Sequence, residues 1–139
     1  MKHEELYAEL GKLLYAVADI DRKVSIAEKK RLIELIHERL LPHVDHSDEF
    51  GTSVAFYPEF QFSYLEAEIA DAQTAFNDFL DYLEEHHTAI HLAMRNTCLE
   101  LAREIAEASY GINKEEQALL DELKRRINRL ELMEFRENR

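Results

Sequence analysis

Asp19, Asp21, Ser25 and Glu28 place three carboxylates and a hydroxyl within ten residues, a hard oxygen donor set of the type that binds Ca²⁺ or Mg²⁺. The spacing is not that of an EF-hand. In a calcium loop beginning at Asp19, positions five, six and twelve fall on Lys23, Val24 and Lys30, where a ligand, a glycine and a bidentate glutamate are required. Glu34 with His37, and Glu84 with His87, have the Glu-x-x-His spacing that di-iron four-helix bundles use. As a di-metal carboxylate centre, those four side chains would have to converge. His87 and His91 stand four residues apart with Glu84 upstream, a spacing that can chelate Zn²⁺ on one helix. Cys98 sits at helical spacing among Met94, Leu101 and Ile105, where a small buried residue is expected, and no glycine-rich phosphate loop is present. These features favour a non-enzymatic protein.

Several of the same residues have a structural explanation. Ser25 with Glu28, and Asn113 with Glu116, have the spacing of a helix N-cap and its reciprocating acid, preceded by the apolar staples Val24 and Ile112. Capping does not account for Asp19 and Asp21, because Asp19 falls in the last turn of a helix, where the dipole opposes a negative charge. His87 continues the apolar seam through Phe76 and Leu83, as a packed histidine at a helix junction would.

The elements that must position these groups are helices. With three glycines, two prolines and no strong alternating pattern, the chain reads as all-α, a single domain over residues 1–139. Five main helices are predicted. They cover about 3–20, 26–41 (stopping before Pro42), a long one from Pro58, 88–108 and 114–135. The third follows a 3-4 spacing through Phe62, Leu65, Ile69, Ala72, Phe76, Phe79 and Leu83. Residues 42–57 read as irregular, with room for a short helical turn at Ser47 to Phe50.

An offset of 88 residues superimposes the two ends of the chain, matching Leu13 with Leu101, Ala18 with Ala106, Glu28 with Glu116, Leu32 with Leu120 and Leu35 with Leu123. Asp19 then meets Glu107, and Ser25 meets Asn113. Each repeat is a helix ending in Ala-x-Ala-Asp or its like, a short acidic turn closing on an aliphatic residue, and an immediate Ser/Asn-x-x-Glu helix start. Over about residues 10–40 and 98–130 this pattern resembles the TerB family of tellurite-resistance proteins. The resemblance implies an all-helical, cytoplasmic, non-enzymatic member of a bacterial stress response, with acidic residues suspected of binding divalent metal. Departures from the family pattern are Arg22 in place of the glycine after Asp21, and Ser109 and Tyr110 where Asp and Gly would stand. On this resemblance a metal would rest on Asp19, Asp21 and Glu28, with Glu107 the acidic counterpart in the second turn.

Charge narrows the partners. The 29 acids against 17 bases leave a net −12, and no Lys or Arg occurs from Leu40 to Met94. Nucleic acid and anionic membrane surfaces both demand a basic footprint, so neither is expected. A lone cysteine, a start lacking an apolar signal stretch and the absence of any apolar run near the roughly 18 residues of a spanning helix point to the cytoplasm. A protein partner at the acidic surface is the expectation, and a homodimer is compatible with it. Exposed rings among Phe50, Phe56, Tyr57, Phe60, Phe62 and Tyr64 would add a docking patch.

Overall fold

The computed structural model describes residues 2–109 and 111–137. The described residues form six α-helices and contain no β-strand. Helix α1 (His3–Asp19) is buried on nearly every side, through Leu6, Leu10, Leu13, Leu14, Tyr15, Val17 and Ala18. A helix apolar all round must be enclosed by others, and α1 is the axis against which α3 (Tyr57–Ala67), α4 (Ala72–Glu85) and α5 (Leu92–Glu107) pack. Gly11 permits the closest of these approaches. A Cβ there would stand 2.6 Å from the Pro58 carbonyl oxygen of α3.

Helix α2 (Ile26–Leu35) opens on Ser25 and continues as a wider π-helical turn, Ile36–Leu40, closed by the Leu41 N–H on the Ile36 carbonyl. Short 3₁₀ turns follow at Leu41–His43 and Val54–Phe56. Between them, Ser47 to Phe50 is a tight turn rather than helix. Asp48 accepts from the Phe50 and Thr52 N–H groups and from the Tyr57 hydroxyl at 2.7 Å, and Gly51 takes φ of 81°.

The long third helix expected from Pro58 is two helices, α3 and α4. The break is a Schellman end in which Ala70 N–H bonds Leu65 C=O and Ile69 N–H bonds Glu66 C=O. Ile69 therefore adopts φ of 53° and is 88% exposed instead of lying on the inward seam. Asp71 restarts the helix by accepting from the Thr74 N–H and hydroxyl, and Tyr15 of α1 donates to the freed Ala70 carbonyl at 2.8 Å. The apolar spacing ran unbroken through this corner because both helices present the same face to α1.

The fourth predicted helix begins four residues late, at Leu92, because residues 86–91 form the turn between α4 and α5. Arg95, 2% exposed, holds that turn, donating from Nε to the Ile90 carbonyl and from a terminal nitrogen to the His87 carbonyl, and pairing with Glu134 of α6 (Lys114–Glu137) at 2.5 Å. Among the described residues, no helix is long and apolar enough to cross a membrane.

Candidate functional site

The two turns of the repeat meet. Ser25 Oγ accepts from Glu28 N–H at 3.0 Å while Glu28 Oε1 accepts from Ser25 N–H at 2.8 Å. At the start of α6 the arrangement recurs, with Asn113 Oδ1 accepting from Glu116 N–H at 2.8 Å and Glu116 Oε1 accepting from Asn113 N–H at 3.0 Å. Both are capping boxes, each satisfying N–H groups that a helix start leaves free. They are joined side by side. Ser109 Oγ donates to Ser25 Oγ at 2.6 Å, and the Asn113 amide donates to Asp21 Oδ2 at 3.1 Å.

Asp21, Ser25, Glu28, Ser109, Asn113 and Glu116, with Lys23, line a cleft of about 270 Å³. Glu28 is 2% and Glu116 3% exposed, so two buried acids line the one cleft. Glu28 Oε2 is buried with no hydrogen-bond partner among the described residues. Burial pushes the Glu28 carboxyl up to about 7, aided by the charges of Glu116 and Asp21 and opposed by the Ser25 bonds. Burial likewise raises Glu116, with the charge of Asp21 adding to it and the Asn113 N–H working against it. Near neutrality Glu28 therefore retains a proton in a fraction of the molecules, and a cation in the cleft would compete with that proton for the same oxygens.

Asp19 points elsewhere. Its Oδ2 lies 3.2 Å from the Tyr15 hydroxyl, whose single proton it shares with the nearer Ala70 carbonyl, and it lines a separate cleft with Arg22, Ile69 and Asp71. Burial is the main cause that raises its carboxyl, with Asp21, Asp71 and Glu66 adding to it. Of the expected set, Asp21 and Glu28 come together and Asp19 does not join them. Their acidic counterpart across the repeat is Glu116 rather than Glu107, which is exposed at the end of α5. The 88-residue register already paired Glu28 with Glu116, but the capping role of both masked their meeting.

No protein-family profile, curated protein or solved structure matches this chain.

The other expected ligands are engaged differently. Glu34 pairs with Arg31 at 3.0 Å, and Glu84 accepts from Arg126 Nε at the same distance, so arginines occupy both carboxylates of the di-metal set. His37 sets its ring edge against Phe56 at 6.0 Å between centroids. His87 lies in the α4–α5 turn with Nδ1 3.7 Å from Glu134, whereas His91 is the exposed N-cap of α5. A turn, not one helix, therefore separates the two imidazoles. Among the described residues, no group of three or more His, Cys, Asp and Glu side chains forms a ready metal cluster. Cys98 is fully buried, and burial drives its thiol up to about 12, which leaves no thiolate for nucleophilic work near neutral pH.

Proposed function

We propose that this chain is a non-enzymatic, TerB-like binding protein of a bacterial stress response, cytoplasmic, which takes a divalent cation at the junction of its two turns and offers its acidic surface to a protein partner. The observation that carries the proposal is the buried Glu28–Glu116 pair with an unpartnered Glu28 oxygen at a cleft. Two adjacent carboxylates cannot both ionise cheaply without a counter-charge, so the site favours either one proton or one cation.

The donors point to the class of ion. Beside Lys23 and the Asn113 amide, Glu28, Glu116, Asp21, Ser25 and Ser109 offer oxygen at the cleft and no sulfur or imidazole, which suits Ca²⁺, Mg²⁺ or Mn²⁺ and disfavours Zn²⁺, whose structural sites use sulfur and nitrogen. With three carboxylates at most, the ion would keep several waters, and the cleft has room for them. Calorimetric titration with Ca²⁺, Mg²⁺, Mn²⁺ and Zn²⁺ tests this. The expected result is one hard cation bound tighter than millimolar, lost in Glu116→Gln. Absence of any such binding would remove the metal component and leave protein binding alone.

A further inference from the structure

Two surfaces away from the junction carry side chains that water solvates poorly. Phe60 and Tyr64, one turn apart on α3, are 53% and 59% exposed, and Ile33 of α2 is 45% exposed. Helices α2 and α3 run antiparallel there. The Lys29–Glu66 ion pair at 2.8 Å ties the start of one to the end of the other, and the His37–Phe56 ring contact ties the opposite ends. Phe56 in turn stacks on Phe60 with centroids 6.5 Å apart. Glu59, Glu66 and Glu68 stand on α3 and at its C-cap, in a segment with no Lys or Arg from Leu40 to Met94, while α2 brings exposed Lys29, held by Glu66, and Lys30 to the Ile33 side.

The outer face of α6 has the opposite character. Arg125, Arg129, Leu132 and Arg136 recur at helical spacing on the side turned away from α1, α4 and α5, and Leu132 is 61% exposed. Arg125 pairs with Glu122 on its own helix, while Arg129 and Arg136 make no ion pair among the described residues. In an otherwise acidic chain, this is a basic amphipathic stripe with an apolar anchor.

We propose that the α6 outer face of one copy seats on the α2–α3 aromatic face of a second copy. Arg129 would lie over the Phe60 and Tyr64 rings, a cation–π contact that strengthens as water leaves it. Leu132 would cover the apolar strip with Ile33, and Arg125 and Arg136 would meet the glutamates at the rim. Aromatic residues and arginine are the types enriched at the energetic centres of interfaces. The contact joins two different faces, so it is heterologous and each added copy leaves one of each face open.

Sedimentation velocity of the full chain, from micromolar to millimolar and in low and high salt, provides the test. The parent should associate progressively with concentration, less in high salt. Phe60→Ser with Tyr64→Ser, and separately Arg129→Glu with Leu132→Ser, should each weaken association by about tenfold or more, the size expected on losing central anchors. All four positions are exposed, and unchanged circular dichroism establishes that each variant folds. An equimolar mixture of the two variants retains one intact contact and should form dimers that grow no further. The proposal is overturned by a parent that stays monomeric at millimolar concentration, by either variant associating as the parent does, or by a mixture that remains monomeric.

Discussion

Replacing Glu28 with Gln isolates the cost of placing two acids at the junction. The amide keeps the Oε1 acceptor for the Ser25 N–H, so the cap survives while the ionisable group goes. In the parent, the folded-state carboxyl titrates near 7 against an ordinary 4.5. At about 1.4 kcal/mol for each tenfold change in proton affinity, that displacement corresponds to about 3 kcal/mol. The sign follows from linkage. Below the unfolded value both states hold the proton and the stabilising bond is intact; between 4.5 and about 7 only the native state holds it, so stability falls as pH rises through that window. Above it, the native state carries the full cost. Urea denaturation followed by circular dichroism at about pH 5 and about pH 8 should therefore show Glu28→Gln close to the parent in acid and more stable by up to about 3 kcal/mol in base. The difference between the two proteins cancels the general effect of protonating an acidic chain. Parallel pH profiles for parent and variant would refute the raised Glu28 carboxyl.

Gly11→Ala would push a methyl to 2.6 Å from the Pro58 carbonyl oxygen, which is backbone and cannot swing aside, so urea denaturation should register a loss of about 1–3 kcal/mol as α1 and α3 part. Ile69→Gly relieves a β-branched residue at φ of 53° whose side chain is almost wholly exposed, and a gain of about 1 kcal/mol is expected; no gain would mean that the Schellman corner imposes little strain. Arg95→Met strips the His87 and Ile90 carbonyls and Glu134 of a buried cation, and should cost about 3 kcal/mol and speed amide exchange in residues 86–91 ahead of the rest of the chain.

What the sequence made legible was local. The two capping boxes, the helix class and the apolar stripes of α1, α2, α5 and α6 are set by contacts within four residues, and spacing displays such contacts directly. The corner at Ile69 was hidden because Leu65, Phe76 and Phe79 face α1 from both helices, so the seam runs through the break. A signal was present in Asp71 and Thr74, an N-cap and its partner inside the supposed helix. The delayed start of α5 depends on Arg95 reaching back to the His87 and Ile90 carbonyls, a tertiary role that an arginine at a helical position does not advertise. The junction itself required two segments 88 residues apart to be adjacent. The matching of Glu28 with Glu116 in that register showed equivalence, and only the fold shows that the equivalent residues line one cleft.

The most direct measurement of the junction's role is calorimetric titration of Ca²⁺, Mg²⁺ and Mn²⁺ into the parent, Glu28→Gln and Glu116→Gln, repeated in buffers of different ionisation enthalpy to count protons released. A cation that displaces the proton held at Glu28 should bind with stoichiometry close to one, release a proton near neutrality and release less of one as the pH rises, with both variants weakened by about tenfold or more. Binding that releases no proton and is equally strong in both variants would place the cation elsewhere and contradict the account.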